Sequence, residues 1–122
     1  MSGTESLVKS YLAGLAARDF DLARTFLADR GFKYTSPITS FDEADRFIQH
    51  LSAIGPILER LSIHKCMVAG NEAIAIVDTT ISFNGYVSYR SAMLFNVADE
   101  RIRSIEAIFD ASDYHRMFLP DD

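Results

Sequence analysis

Residues 73–97 bring together four side chains suited to acid–base chemistry: Asp78, Thr80, Tyr89 and Ser91. A carboxylate among hydroxyl donors can take or give a proton, and burial raises its pKa toward the useful range. The two runs that carry them, AIAIVDTTISF and YVSYRSAMLFNV, flank Asn84-Gly85. That dipeptide suits a two-residue reversal with φ > 0 at both central positions. Such a turn predicts Phe83 opposite Tyr86, Thr80 opposite Tyr89, Asp78 opposite Ser91, Ile76 opposite Met93 and Ile74 opposite Phe95. Side chains alternate along a strand, so these residues share one face. That face is apolar at one end and polar at the other. It is expected to wall a pocket, with Asp78 as the acid or base. The competing reading turns Asp78 outward, or into a wet subunit contact, paired with an arginine.

Other candidates come from elsewhere in the chain. Tyr11 and Tyr34 can donate phenolic hydrogen bonds to a substrate oxygen, although a helical tyrosine is more often core with its hydroxyl at the rim. His64, in LSIHKCMV, suits proton transfer near neutral pH. Its facing is open, because Ser62, Cys66 and Val68 compete with Leu61, Ile63 and Met67 for the inner side. His50 falls at the edge of an apolar helical stripe beside Phe47 and Ile54, where partial exposure is the default, and His115 reads as peripheral. No two histidines are spaced i, i+4 and no HExxH occurs, so no metal is expected. The six glycines are isolated turn residues, none in a phosphate loop, and no nucleotide cofactor is expected.

The elements that must position these groups are legible from period and punctuation. Ser2-x-x-Glu5 has capping-box spacing, and Leu7, Val8, Tyr11, Leu12 and Leu15 follow at helical period. Asp19 or Asp21 can cap a short second helix with Leu22, Ala23, Phe26 and Leu27 inward, ended by Gly31. Phe32 to Ser36 reads as a strand stopped by Pro37. Ser40-x-x-Glu43 is a second capping box, opening a helix with Ala44, Phe47, Ile48, Leu51 and Ile54 inward and Gly55-Pro56 at its end. Four strands follow, at 58–69, 73–83, 86–97 and 101–111, joined by short turns as an antiparallel meander. Helices followed by such a sheet make an α+β layer arrangement, and a pocket is expected between the layers.

Composition bounds the function classes. The 122 residues fit one domain, 1–122. A net charge of −5 with scattered Lys and Arg gives no basic stripe, so no nucleic-acid partner is expected. The single Cys66 allows no intrachain disulfide and reads as a small buried hydrophobe. Neither a signal peptide nor a membrane span is seen, and a cytoplasmic protein is expected. Ala75, Val77, Thr79, Ile81 and Leu94 fall on the opposite hairpin face, which would need a partner.

The element order, together with YLAGLAARDFDLARTFLAD, a strand ending in Ser36-Pro37, and LFNVADERIRSIEAIFD, resembles the nuclear transport factor 2-like superfamily. The resemblance is to its SnoaL-like and ketosteroid-isomerase-like members and covers nearly the whole chain. It implies a cystatin-like fold: a cone-shaped α+β barrel with three N-terminal helices on a strongly curved antiparallel sheet. It also implies a homodimer through the outer sheet face, and Ile105, Ala107 and Phe109 turned to the cavity. By the same resemblance, Tyr11 falls where the isomerases place an oxyanion-hole tyrosine. Their general-base aspartate is Ser36 here and their protonated aspartic acid falls near Met93. The polyketide-cyclase acid falls near Ala107, and of the epoxide-hydrolase Asp-Arg-Asp set only Asp78 and Arg90 persist as a fragment.

The expected function is binding of a hydrophobic small molecule in a cone-shaped pocket. Phe47, Ile54, Met93, Phe95 and Phe109 would supply shape, Tyr11, Asp78 and Tyr89 orientation, and Tyr34, Ser91 and His64 further contacts. If the protein is an enzyme, cofactor-free isomerisation, cyclisation or hydration fits, with Asp78 moving the proton and Tyr11 or Tyr89 holding the oxyanion. The rival is a non-catalytic ligand-sensing or dimerisation module.

Overall fold

A computed structural model of the protein describes residues 3–112. Ser2 of the first capping box, and His115, lie outside them. Helix α1 (Gly3–Ala16) buries Val8, Tyr11, Leu12 and Leu15, an i, i+3, i+4, i+7 stripe that faces the sheet. Helix α2 (Phe20–Thr25) starts at its N-cap Asp19, whose carboxylate accepts from Leu22 N at 3.1 Å. Ala23 and Leu27 turn inward, but Leu22, expected inside, is 45% exposed.

After α2 the chain forms β1 (Lys33–Thr35) and a two-residue strand β2 (Ser40–Phe41), then α3 (Ala44–Ile54). The second capping box is therefore misplaced. Ser40 pairs with Thr35 in the sheet, and Glu43 is the N-cap itself, without a side-chain cap bond. The inner stripe of α3 is as expected, with Ala44, Phe47 and Ile48 buried. A short 3₁₀ turn, Gly55–Ile57, leads to β3 (Leu58–Ala69), β4 (Glu72–Ser82), β5 (Tyr86–Ala98) and β6 (Arg101–Ile108). The last strand ends earlier than the expected residue 111.

Among the described residues six strands form one open sheet in the order β2-β1-β6-β5-β4-β3. All neighbours are antiparallel except β1 and β6, which run parallel. The result is an α+β fold, three helices against one face of a mostly antiparallel sheet. No helix among the described residues is long and apolar enough to cross a membrane.

The β4–β5 register differs from the expected one by a single residue. Ser82 pairs with Tyr86, Thr79 with Tyr89, Asp78 with Arg90, Val77 with Ser91 and Ala73 with Phe95. The connection is thus the three residues Phe83-Asn84-Gly85, with positive φ at Asn84 (56°) and Gly85 (111°). A one-residue slip sends every side chain of a strand to its other face. Ala73, Ala75, Val77, Thr79 and Ile81 therefore face the helices instead of a partner subunit, and Ile74, Ile76, Asp78 and Thr80 face outward.

Energetics explain the choice. Exchanging Ile74 and Ile76 for Val77 and Ile81 inside is close to neutral, since each such side chain contributes roughly 1.5–3 kcal/mol on burial. Burying Asp78 without a partner costs several kcal/mol, and the observed register avoids it. Small residues at 73 and 75 also let α1 sit directly on β4, where Tyr11 and Leu12 are fully covered.

Candidate functional site

Between α3 and the inner face of the sheet lies a cavity of about 160 Å³. Its sheet wall is Thr79 and Ile81 of β4, Tyr89, Ser91 and Met93 of β5, and Ala107 and Phe109 at the end of β6. Leu58 and Leu61 of β3 close one side, and His50, Leu51 and Ile54 of α3 face them. Leu15, Phe20 and Gly55 form the floor near the α1–α2 corner, and Tyr34, Ile38 and Thr39 complete the ring. None of these residues is Asp, Glu, Lys or Arg, so the wall is apolar carbon with hydroxyls and one imidazole set into it.

Local structure accounts for each polar group. Tyr34 is set by the pairing of β1 with Ile105 of β6, and its ring stacks on Phe47 at 4.3 Å. The Ser36-Pro37 turn holds Ile38 and Thr39 at the cavity. Ser36 Oγ accepts from the Ile38 and Thr39 amides (3.3 and 3.2 Å) and donates to the Thr39 carbonyl (3.1 Å). Ser36, standing where the resemblance puts a general base, is therefore a turn residue. Arg18 (φ 58°) donates to the Gly55 and Leu58 carbonyls and ties the α1–α2 corner to the floor. A Cβ at Gly55 would stand 2.9 Å from the Phe20 ring and force that ring to shift.

Electrostatics follow burial. The Tyr34 and Tyr89 phenols are pushed above the ordinary tyrosine value by burial, with Ser36 and Thr79 hydroxyls respectively pulling back. Tyr89 adds to the rise at Tyr34, so the two phenols bear on each other. Both stay protonated donors at neutral pH. Burial lowers the His50 imidazole below its usual 6.5, and its ring lies 5.2 Å from that of Phe41. It is neutral at pH 7, able to donate one hydrogen bond and accept another. Ser91 is 3% exposed, and its Oγ has no hydrogen-bond partner.

The residues singled out from the sequence divide into three groups: cavity wall, core and outer sheet face. Tyr34, Ile54, Tyr89, Ser91, Met93 and Phe109 line the cavity. Tyr11, Phe47 and Phe95 do not. They are core residues at 1%, 2% and 0% exposure, with Tyr11 packed edge-on against Phe95 (6.1 Å) and Phe47 behind Tyr34. Burial raises the Tyr11 pKa, with Tyr34 adding to the effect, so its phenol stays protonated; its place behind the wall is what keeps it from the cavity. A helical tyrosine on the inner stripe packs behind the wall rather than in it.

Asp78 is the main correction. It lies on the outer face, where Arg90 Nε and Nη2 reach its two oxygens at 2.7 and 3.0 Å. The Arg90 hydrogen bonds hold its carboxyl below the usual range, with His64 and Arg60 contributing charge. It borders an open recess with Arg60, Ser62, Thr80 and Ser88. Thr80 shares that face and hydrogen-bonds Ser88 (2.8 Å). His64 is exposed and points outward as well, at the β-bulge between Ile63 and Lys65. The Asp78–Arg90 fragment of an epoxide-hydrolase set is therefore a surface ion pair. Cys66 is half-buried and packs against the core.

Sequence reasoning missed His50, Thr79 and the floor. His50 carried a usable signal, being one helical turn before Ile54 on the apolar edge of α3. Thr79 carried none independent of the register. Among the described residues no three His, Cys, Asp or Glu side chains come together to hold a metal ion.

The architecture has many counterparts among solved structures. An NTF2-like protein of unknown function from Burkholderia pseudomallei superposes with a TM-score of 0.86 at 17% identity, covering 98% of this chain and 100% of its own. Another NTF2-like protein of unknown function, from Cytophaga hutchinsonii, gives 0.81 at 21% identity over 91% of this chain and 93% of its own. An LEH-like epoxide hydrolase from M. tuberculosis gives 0.81 at 20% identity over 96% and 90%. No family model and no curated protein matches by sequence. The chain has the nuclear transport factor 2-like fold.

Proposed function

We propose that this protein binds a hydrophobic small molecule in the cavity between α3 and the inner sheet face, a conical pocket of the kind this fold supports, and that it does so without acid–base turnover. The carrying observation is an apolar cavity of about 160 Å³ whose wall, among the described residues, holds hydroxyl groups and no carboxylate. That volume suits a ligand of about one aromatic ring, since an enclosed apolar cavity of roughly 150 Å³ accepts benzene. The removal of Asp78 to the outer face favours binding over proton transfer.

The test is mass spectrometry of the purified protein under native conditions, beside an Ala107→Phe variant that fills the cavity. A small molecule bound to the wild type and absent from the folded variant supports the reading. A bound molecule retained in the variant, or exclusion of every apolar probe from the wild type, overturns it. A second reading, cofactor-free isomerisation, cyclisation or hydration, is favoured by a neutral His50 imidazole lining the same cavity as Tyr89. It requires turnover that His50→Gln abolishes while ligand affinity is kept.

The chain is also proposed to form a homodimer through the outer sheet face. Of the residues first expected only Leu94 stays on that face, joined by Met67 (53% exposed), Ile74 (40%) and Ile108 (58%). No described helix covers them, and a second copy would offer the same apolar patch in an isologous contact. Sedimentation at micromolar concentration should show a dimer that Ile108→Lys dissociates; a monomeric wild type defeats this part of the proposal.

A further inference from the structure

Ser91 sits in the cavity wall with a hydroxyl that satisfies nothing in the fold. Its side chain is 3% exposed and its Oγ is without a partner. Its neighbours do not share that condition. Thr79 bears on Tyr89, Ser36 is consumed by its own turn, and Thr80 pairs with Ser88 on the outer face. An alanine at 91 would keep the strand and remove the buried polar atom. The hydroxyl is therefore a cost to the ligand-free protein. Its Oγ is shut off from the cavity space as the side chain stands, and a rotation about χ1 is the step that would bring it to a ligand oxygen.

The charge of the wall narrows the ligand further. No lining residue among those described is an acid, a lysine or an arginine. A carboxylate or ammonium entering the cavity would lose its hydration and find only hydroxyls and the His50 imidazole, which burial holds neutral, and that costs more than hydrogen bonds to neutral groups return. A hydroxyl or carbonyl oxygen loses far less water and can be met by Ser91, with Tyr89 on the same face of β5 two residues away. Apolar contact from Met93, Ile54 and Phe109 serves the rest of the molecule.

We infer that the cavity selects an uncharged molecule of about one ring that carries a hydroxyl or carbonyl oxygen, and that Ser91 Oγ is the group that anchors this oxygen. The inference rests on the binding function proposed above and adds the ligand's polarity, its charge and the anchoring residue.

Three probes of similar size separate these claims: ethylbenzene, its hydroxyl isostere benzyl alcohol, and the anion benzoate, each titrated by calorimetry into wild type and Ser91→Ala. Benzyl alcohol is expected to bind the wild type and to weaken about five- to tenfold in the variant, the value of one hydrogen bond. Ethylbenzene should bind both proteins equally or prefer the variant, and benzoate should bind neither. Unchanged benzyl alcohol affinity in the variant removes Ser91 as the anchor while leaving the pocket standing. Benzoate binding as tightly as benzyl alcohol overturns the selection for neutral ligands. Failure of both neutral probes on the wild type refutes the binding function itself.

Discussion

Replacing Ser91 with alanine should stabilise the ligand-free protein, against the usual direction for a buried substitution. Two terms oppose each other. Leaving a hydroxyl buried without a partner costs about 1–3 kcal/mol, which the alanine recovers. Removing one oxygen enlarges the cavity by roughly 10 Å³, worth only about 0.2 kcal/mol at the usual cavity coefficient. The balance is a gain of about 1 kcal/mol, or roughly 3–5 °C in Tm for a domain of this length. The assay is urea and thermal unfolding by circular dichroism, on protein refolded from urea so that any bound molecule is stripped. The slope in urea should not change, because the surface exposed on unfolding is the same. Thr79→Val supplies the opposite control: nearly isosteric and also buried at 6% exposure, it removes the hydroxyl that bears on Tyr89 and should cost about 1 kcal/mol. A Ser91→Ala protein that melts several degrees below wild type would refute the reasoning, since it would show the hydroxyl satisfied in the fold.

Other perturbations test separate parts of the structure. Gly55→Ala places a methyl 2.9 Å from the Phe20 ring, so this ring, which lines the cavity, must shift. Stability should fall by about 1 kcal/mol and ethylbenzene affinity should drop; unchanged affinity by calorimetry would show the floor to be soft. Asp78→Asn should leave ligand affinity untouched, because the carboxylate lies outside the cavity. Its ion pair with Arg90 stabilises only above the ordinary Asp pKa and loses that contribution as pH falls through the lowered folded value. The effect is small, because water screens an exposed pair. His50 has the reverse chemistry with the same sign: its folded pKa lies below 6.5, so the unfolded chain binds the proton first. Stability should be level above about pH 7 and fall as pH drops from 6.5 toward the folded pKa. Urea midpoints across that range should lose this slope in His50→Phe, and a slope that survives would assign it to another group.

Much of the architecture could be read before any coordinates. The strands 58–69 and 101 onward, the inner stripe of α3 and the Asp19 cap follow from local period and punctuation, which act over a few residues. So did the inner face of β5, where Tyr89, Ser91 and Met93 line the cavity as expected, and the Ala107–Phe109 side of β6, which the family resemblance supplied. The second capping-box spacing was less informative, since Ser40 found a sheet partner in Thr35, a pairing invisible to a four-residue window.

The face of β4 was beyond the reach of the sequence. Asn84-Gly85 marks a reversal without saying whether two or three residues make it, and that parity decides whether Asp78 or Thr79 faces the helices. Only the assembled protein resolves it, because the deciding term is the cost of desolvating one carboxylate under α1 and α3 against pairing it with Arg90 at the surface. Alternation along each strand is a local property of the chain; the relative phase of two strands is set by what the finished core will accept.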